Sequence, residues 1–273
     1  MKRLLSERIA TLEQVLHQHR RVLLAYSGGV DSTFLAVLGA RVLKQDFLAV
    51  TIDHPGFPRK QLTAACQLAK TYAIPHKMIL LAQLDVPGFR ENPIERCYYC
   101  KKAMLELLLQ EAHAGGFFSL MDGSNAEDAK DYRAGAKALA ELGVESPLQT
   151  LLWSKEDIRQ ASRQMGLPTA DQPSYACLAS RIPPGSIITG EKLQQIEQME
   201  ELLHDLGFPE CRARHHGDTL RLEIDAGAFP QIVQPDIRTQ LLTCAQGLGF
   251  RWLTLDLEPY HTGRLNPIHP DKT

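Results

Sequence analysis

Short apolar runs with the composition of β-strands alternate with helical patterns along the first half of the chain. The apolar runs lie near residues 22–26, 47–52, 76–81 and 117–121, with helical patterns between them at 32–44, 58–73 and 99–113. Such alternation is typical of a parallel sheet that carries helices on both faces. It predicts an α/β fold whose ligands bind beyond the carboxyl ends of the strands.

The alternation of apolar runs and helical patterns ends after Pro168. The segment Asp171–Gly190 is rich in Pro, Gly and Ser, which indicates a linker or an ordered loop. Beyond it the periodicity predicts a small α+β unit with helices at 190–206 and 236–248 and strands near 210–216, 219–225 and 251–257. We therefore divide the chain into a parallel-sheet domain at 1–170, a cysteine-bearing loop at 171–189 and a smaller α+β domain at 190–273.

The composition is that of a globular protein, with 44% hydrophobic and 23% charged residues among 273. A net charge of -2 gives no global electrostatic reason for tight nucleic-acid binding. No apolar run is long enough to cross a bilayer, and the first apolar residues recur at the spacing of an amphipathic helix, at Leu5, Ile9, Leu12 and Leu16. We expect a cytoplasmic protein without a membrane partner, for which nucleic acid is disfavoured, and whose six cysteines are reduced or metal-bound.

The segment Ser-Gly-Gly-Val-Asp-Ser, from Ser27 to Ser32, joins the first predicted strand to a helix. Gly28 and Gly29 would let backbone N–H groups approach an anion, and the two serines add hydroxyl donors at the positive end of the helix dipole. The segment is not a Walker A loop, because no Gly-Lys-Ser/Thr ends it, and it lacks the glycine spacing of dinucleotide folds. We predict a phosphate-binding loop rather than an ordinary strand-to-helix turn.

Three cysteines stand out from their surroundings. Cys97 and Cys100 form a Cys-x-x-Cys pair ahead of a predicted helix, whose dipole, with Lys101, favours thiolates. The pair alone is compatible with a redox pair, a zinc half-site, an iron–sulfur half-site or coincidence. Cys177 lies in a polar loop where Arg181 favours the thiolate, so we expect a functional thiol there rather than an inert, buried one.

Arg212, Arg214 and His216 alternate along a predicted strand and therefore share one face. Two guanidinium groups on such a face could clamp a phosphate or carboxylates in fork geometry. The alternative is an ordinary solvated outer face.

Five segments occur in a fixed order and together resemble the LarE family of ATP-dependent sulfur transferases, which belong to the N-type ATP pyrophosphatases. They are Ser27–Ser32, Cys97–Lys101, Asp122–Asp128, Cys177–Pro183 and Arg212–His216. The likeness covers nearly the whole chain. The first segment is shared by all N-type ATP pyrophosphatases, whereas the loop around Cys177 and the Arg-x-Arg strand make the resemblance specific.

The resemblance implies that the protein adenylates a carboxylate of pyridinium-3,5-biscarboxylic acid mononucleotide and converts it to a thiocarboxylate. This reaction belongs to the biosynthesis of the nickel-pincer nucleotide cofactor and releases AMP and pyrophosphate. ATP and Mg²⁺ are expected at the ATP pyrophosphatase domain (1–170), on Ser27, Gly28, Gly29, Asp31, Ser32, Asp122, Asn125 and Asp128.

The resemblance also implies that the small C-terminal domain binds the substrate or forms a homo-oligomer. The expected substrate contacts are Ser180, Arg181, Glu200, Arg212 and Arg214, with Glu197 and Glu201 as alternatives to Glu200. Arg212 and Arg214 are also expected to act in catalysis together with Cys177. The segment Tyr260–Asn266 resembles a C-terminal motif of the family, but the residues themselves indicate no role for it.

The sulfur donor is the point on which family members differ. Where the family has one active-site cysteine, the residue that matches Cys177 gives up its sulfur and becomes dehydroalanine. This chain also has Cys97 and Cys100, and such three-cysteine members are expected to bind a [4Fe-4S] cluster through three thiolates, leaving one iron open for sulfide from a sulfide source. The alternative mechanism is sacrificial transfer of the Cys177 sulfur. Two further alternatives concern the function itself, namely a tRNA thiolase of the same superfamily and a non-catalytic zinc- or nucleotide-binding module.

Overall fold

The computed structural model describes residues 4–128, 134–173 and 175–261, and the chain divides into two compact units. The first unit comprises Met1–Val86 and Glu95–Tyr175, and the second comprises Pro87–Ile94 and Ala176–Thr273. The second unit thus takes in one short segment, Pro87–Ile94, that the sequence pattern had placed within the domain at 1–170.

A four-stranded parallel sheet forms the centre of the first unit. Its strands are β1 (Val22–Ala25), β2 (Phe47–Asp53), β3 (His76–Leu80) and β4 (Ser119–Met121), in the spatial order β3-β2-β1-β4. Because all the strands run the same way, the loops that follow them meet at one edge of the sheet. The predicted α/β fold is confirmed, and β1 lies between β2 and β4, so the loop that follows it has neighbours on both sides.

Helices cover both faces of this sheet. Leu23 and Leu24 of β1 point to opposite faces, since side chains alternate along a strand, and both are fully buried. Leu24 packs in one core with Phe34 and Trp153, and Leu23 packs in another with Leu105. The helices described in the first unit are α1 (Leu5–Gln18), α2 (Val30–Leu43), α3 (Arg59–Thr71), α4 (Arg96–Gly115), α5 (Ala134–Glu141), α6 (Pro147–Thr150) and α7 (Lys155–Gln164).

The second unit has a three-stranded mixed sheet and its own hydrophobic core. Its elements are α8 (Gly190–Asp205), β5 (Cys211–His216), β6 (Thr219–Ile224), α9 (Phe229–Ile232), α10 (Pro235–Gly247) and β7 (Trp252–Leu255). Strand β6 is central; it pairs antiparallel with β5 and parallel with β7. Met199, Phe208 and Leu220 lie in the core of this unit, which confirms the predicted small α+β unit.

Asn92 fixes the inserted segment Pro87–Ile94 to the rest of the second unit. Its side chain is fully buried, and its Nδ2 donates to the carbonyl oxygens of Ile182 (3.2 Å) and Pro183 (2.7 Å). Its own carbonyl accepts a hydrogen bond of 2.8 Å from the Gly185 N–H. The segment therefore orders the loop that contains Pro183 and Gly185.

Two further comparisons with the sequence concern helices. Helix α4 begins at Arg96 rather than near residue 99, so Cys97 and Cys100 lie among its first five residues. Within the ranges that the structure describes, no helix is both long enough and apolar enough to cross a membrane.

Gly28 provides a test of the packing between the loop that follows β1 and helix α3. Gly28 has φ +74°, and a Cβ there would lie 2.5 Å from the Cβ of Ala65. We expect Gly28→Ala to lower the free energy of unfolding by roughly 2–4 kcal/mol, because the positive φ and the clash add. Chemical denaturation measures this loss.

Gly166→Ala is the matched control for that experiment. Gly166 lies in the same unit with φ +67°, but nothing lies within 4 Å of the position of its Cβ. Its substitution should cost only about 1 kcal/mol, the backbone contribution alone. Equal losses for the two variants would contradict the close packing of the loop on Ala65.

Candidate functional site

The predicted phosphate-binding loop links β1 to α2 at the carboxyl edge of the sheet. Gly29 immediately precedes α2, and the Oγ atoms of Ser27 and Ser32 lie 3.1 Å apart. The Ser32 hydroxyl also donates to the Gly29 carbonyl (3.2 Å) and accepts from the Ser27 N–H (3.3 Å). The two serines thus fold the loop over the positive end of the α2 dipole, which favours an anion at this place.

Asp31 is the second residue of α2 and carries the main negative charge beside the loop. Its Oδ2 forms an ion pair of 2.6 Å with Lys155 Nζ. Its Oδ1 is buried and has no hydrogen-bond partner among the residues that the structure describes. Burial raises the pKa of Asp31 above its usual value, although the hydrogen bond from Lys155 opposes this change. A buried carboxylate oxygen with lone pairs to spare fits a hard cation such as Mg²⁺.

Lys155 is a residue that the sequence analysis missed. It begins α7, which is far from Asp31 in the sequence, and its own N–H donates to Glu127 Oε1 (3.0 Å). A lysine at the start of a helix carries no local signal for such a partner, since the ion pair exists only after the chain has folded.

Asp122 connects the loop after β4 with α4. It accepts hydrogen bonds from the Ser124 N–H, the hydroxyls of Ser124 and Ser146, and Lys101 Nζ at 3.4 Å. A Cβ added to the next residue, Gly123, would lie 3.0 Å from the Ser32 backbone nitrogen. The Asp122–Gly123 pair therefore brings the first turns of α4 and α2 to the same edge of the sheet.

Asn125 and Asp128 hold each other in a turn. The Asn125 N–H donates to Asp128 Oδ2 (2.9 Å), and Asn125 Oδ1 accepts from the Glu127 N–H (2.8 Å). These bonds account for the local shape of the loop. The roles of Asn125 and Asp128 as contacts of ATP stay predictions.

Cys97 and Cys100 are the second and fifth residues of α4, about one turn apart along the helix. Cys97 is exposed, whereas Cys100 is buried and accepts a hydrogen bond of 3.0 Å from Gln83 Nε2. Gln83 is fully buried after β3, and its Oε1 accepts from the Gly56 N–H (2.9 Å). Its amide therefore joins the loop after β2 to the sulfur of Cys100. Gln83 was not predicted, because one glutamine after a strand carries no signal.

His54 also lies in the loop that follows β2. Burial lowers the pKa of its imidazole to about 4, with a smaller lowering effect from Arg59, while Gln83 and Asp53 act in the opposite direction. The ring stacks against Phe57, with 5.8 Å between the ring centroids. His54 is therefore neutral at pH 7.

In the second unit, Cys177 immediately precedes a short 3-10 turn, Leu178–Arg181. Arg181 is buried, and its Nε and Nη2 pair with the two carboxylate oxygens of Glu200 at 2.9 and 2.8 Å. Its Nη1 donates to the carbonyls of Ala176 (2.8 Å) and Cys177 (3.1 Å) and contacts Ser180 Oγ (3.0 Å). Burial alone would raise the pKa of Glu200, but the guanidinium of Arg181, together with the charge of Arg212 and the Ala213 N–H, holds that pKa below its usual value.

Arg214 contacts the same turn from β5. Its Nη1 donates to the Ser180 carbonyl (3.1 Å), and its Nη2 pairs with Glu223 Oε2 at 2.7 Å. Glu223 lies on β6 and is fully buried, and its other oxygen pairs with Arg221 (3.1 Å). Because Arg214 is itself buried, the face that it shares with Arg212 is not an ordinary solvated one.

Arg212 differs from Arg181 and Arg214 in its partners. Its Nη1 donates to the Cys211 carbonyl (2.6 Å), and its Nη2 donates to the hydroxyl of Tyr260 (2.8 Å). Its guanidinium lies 4.5 Å from the centroid of the Tyr260 ring. Burial and the positive charge of Arg181 lower the pKa of Arg212, while the carboxylate of Glu200 acts in the opposite direction. In the described part of the second unit, no carboxylate forms an ion pair with Arg212. Residues 262–266 of the predicted C-terminal motif lie outside the described residues.

The predicted metal ligands are divided between the units, with Cys97 and Cys100 in the first and Cys177 in the second. Over residues 4–128, 134–173 and 175–261, no group of three or more His, Cys, Asp or Glu side chains is arranged to hold a metal ion. None of the six cysteines, all of which are described, forms a disulfide. The start of α4 therefore carries two of the three predicted ligands, and the three-cysteine set stays a prediction.

Two relatives match almost the entire chain. An uncharacterised protein of Synechocystis sp. is 37% identical over 265 residues, which cover 97% of this chain and 99% of that protein. The pyridinium-3,5-bisthiocarboxylic acid mononucleotide synthase of Lactiplantibacillus plantarum is 32% identical over 265 residues, 96% of this chain and 95% of the synthase. The chain belongs to the LarE family.

More distant relatives of this LarE-family chain also indicate an ATP-binding protein. A family model described as NAD synthase matches residues 4–87, which contain the phosphate-binding loop. A component of the glutamine-hydrolysing GMP synthase of Methanopyrus kandleri is 26% identical over 180 residues, 61% of this chain and 56% of that protein. The first unit of this LarE-family protein therefore has the phosphate-binding-loop fold of ATP-using enzymes.

The neutral imidazole of His54 gives the LarE-family protein a pH-dependent stability. The unfolded chain takes up this proton near pH 6.5, whereas the folded chain takes it up only near pH 4. Stability from His54 is thus complete above pH 6.5 and decreases as the pH falls towards 4, by an amount on the order of 3 kcal/mol. In His54→Asn this part of the acid-induced loss should be absent, which denaturant unfolding at several pH values measures. The two proteins should differ by a constant offset above pH 7, and an unchanged acid profile in the variant would contradict the assignment.

Proposed function

We propose that this protein is an ATP-dependent sulfur transferase. Its substrate would be pyridinium-3,5-biscarboxylic acid mononucleotide. The protein would adenylate a carboxylate of this substrate and convert that carboxylate to a thiocarboxylate. The proposal rests above all on the Ser27–Ser32 loop with the Asp31–Lys155 pair in a chain of the LarE family. The name of the Lactiplantibacillus relative, a bisthiocarboxylic acid mononucleotide synthase, supports this substrate and product.

The first unit would bind ATP through the loop backbone. N–H groups at Gly28 and Gly29, with the hydroxyls of Ser27 and Ser32, would hold the phosphates at the N-terminus of α2. Bound Mg²⁺ would neutralise triphosphate charge, and the buried Oδ1 of Asp31 is the oxygen best suited to hold it. Asp122, Asn125 and Asp128 would complete the rim of this site.

The second unit would bind the mononucleotide through its anionic groups. Of the predicted contacts Ser180, Arg181, Glu200, Arg212 and Arg214, Arg212 has the charge best available for an anion, because its partners are a carbonyl and a phenol. A substrate carboxylate oxygen would then attack the α-phosphorus of ATP, and pyrophosphate would leave. The N–H groups of the loop and the α2 dipole would stabilise the charge that develops on the phosphates.

The sulfur atom of the thiocarboxylate would be delivered at the three predicted cysteines. When bound by Cys97, Cys100 and Cys177, a [4Fe-4S] cluster would supply an exchangeable sulfide on its open iron. The two cysteines near the start of α4 support this set, since they lie about one turn apart at the N-terminal end of the helix and the Gln83 amide donates to the sulfur of Cys100. A sulfide source and a homo-oligomeric assembly belong to the same proposal.

Release of pyrophosphate from ATP tests the adenylation step. We expect release that depends on both Mg²⁺ and the mononucleotide substrate. Asp31→Asn should lower the rate by about 10²–10³-fold, since it removes a charge beside the phosphates. Asp46→Asn is the control, because Asp46 is an exposed carboxylate of the same unit, and it should keep the wild-type rate. Pyrophosphate release without substrate dependence, or equal rates in the two variants, would contradict the proposal.

Metal and mass analysis tests the origin of the sulfur. Protein purified without oxygen should contain about four iron and four sulfide per chain, stay intact, and turn over more than once when sulfide is supplied. Conversion of Cys177 to dehydroalanine after one turnover would instead establish the sacrificial route. Zinc without iron, together with no pyrophosphate release, would indicate a non-catalytic module.

A further inference from the structure

Two buried arginines hold the turn that carries Cys177. Arg181 donates to the carbonyls at its start, those of Ala176 and Cys177, and Arg214 donates to the carbonyl of Ser180. Its own backbone bonds run from the Ser180 N–H to the Cys177 carbonyl (2.9 Å) and from the Ile182 N–H to the Ala179 carbonyl (3.2 Å). Two guanidinium groups add to these bonds, one from Arg181 within the turn and one from Arg214 on β5.

Each arginine is in turn anchored by a buried glutamate. Arg181 makes a two-point contact with Glu200 of α8, and Arg214 pairs with Glu223 of β6. Glu200 also accepts the Ala213 N–H (3.0 Å), which joins α8 to β5. Buried charges of this kind are costly to separate, because either partner alone would remain desolvated and unpaired. The fork geometry of guanidinium allows one side chain to hold both a carboxylate and carbonyls.

We propose that Arg181 and Arg214, with Glu200 and Glu223, are positioning residues that fix the Cys177 turn, and that Arg212 alone of the three arginines binds an anionic group of the substrate. This division of roles rests on the proposed function for its substrate. It differs from the sequence-based expectation, in which all three arginines and Glu200 contact the substrate.

The evidence for this division of roles is that Arg212 has different hydrogen-bond partners from Arg181 and Arg214. The Nε, Nη1 and Nη2 of Arg181 and the two Nη atoms of Arg214 donate to carboxylates and to groups of the turn, so an incoming phosphate would have to displace a buried ion pair to reach them. The Nε of Arg214 is buried and has no hydrogen-bond partner among the residues that the structure describes. In the part of the chain that the structure describes, Arg212 donates to a carbonyl and to a phenol, and its guanidinium lies against the Tyr260 ring. The Glu200 carboxylate interacts with its charge, but its two oxygens are paired with Arg181. An anion at Arg212 would therefore add a counter-charge without breaking an existing pair.

The position of the Cys177 sulfur matters for either sulfur route. As a ligand or as a donor, the thiol must be presented from a turn of fixed shape, and loss of one clamp would let that turn adopt other shapes. A positioning role thus predicts slower sulfur transfer with unchanged substrate binding.

Three matched variants test the proposal, namely Arg181→Lys, Arg214→Lys and Arg212→Lys, each of which keeps the positive charge. Hydrogen–deuterium exchange of peptides that span 176–182 reports the turn, and calorimetry with the mononucleotide reports its Kd. A single-turnover assay gives the rate of thiocarboxylate formation. Peptides of α10, in the same unit, report any general loosening.

We expect Arg181→Lys and Arg214→Lys to speed exchange in the turn at least about tenfold, the effect of losing one hydrogen bond from a charged group. They should slow single turnover to a similar degree and leave the Kd within about twofold. Arg212→Lys should raise the Kd about tenfold and leave exchange in the turn unchanged. Glu200→Gln and Glu223→Gln remove the anchors with little change in shape and should reproduce the Lys variants at 181 and 214.

A raised Kd with unchanged exchange in Arg181→Lys or Arg214→Lys would overturn the division, since these residues would then be substrate ligands. Faster exchange in α10 to the same extent as in the turn would also overturn it, because the effect would be one of general stability. If the wild-type protein does not bind the mononucleotide, the proposed function fails, and the exchange data still decide whether Arg181 and Arg214 fix the turn.

Discussion

Parallel strand pairing is the constraint on which the first unit depends. Because β1, β2, β3 and β4 end at one edge, loops far apart in sequence must share a small space there. Two glycines make this possible, since a Cβ on Gly28 would meet Ala65 and one on Gly123 would meet the Ser32 backbone. The phosphate-binding loop, the Asp122 loop and the first turn of α4 are consequently brought together by backbone packing before any ligand is considered.

Sequence periodicity predicts the architecture well, because it reflects burial of whole faces. The alternation of apolar runs and helical patterns placed the four parallel strands, and the two-sided burial of Leu23 and Leu24 explains why those runs are continuously apolar. The site was less predictable. Lys155 contacts Asp31, and Gln83 contacts Cys100, through polar contacts between residues far apart in the sequence. Neither contact produces a periodic pattern in the sequence. Asn92 is similar, since its buried amide recognises carbonyls on a distant loop.

The second unit departs from a simple hydrophobic core, since it buries charged pairs as well. Replacing such pairs with apolar residues often leaves stability unchanged or improves it, so their presence is not explained by stability. Directional contacts explain it better. Arg181 and Arg214 place N–H groups on the carbonyls of one short turn, which aliphatic side chains could not do. The Arg-x-Arg pattern is visible in the sequence, but the different partners of Arg212 and Arg214 appear only when β5 pairs with β6.

The three cysteines share one chemical feature despite their different locations. Cys97 lies at the start of a helix with Arg96 Nη2 at 3.9 Å, Cys100 accepts from the Gln83 amide, and Cys177 adjoins the guanidinium that holds its carbonyl. Arg96 and Gln83 thus place N–H groups beside the sulfurs of Cys97 and Cys100, and Arg181 places its N–H groups on the backbone of Cys177. Metal ligation and nucleophilic sulfur transfer both use the thiolate form of cysteine. Under either sulfur route of the proposed function, these N–H groups would lie next to the residues that carry the sulfur.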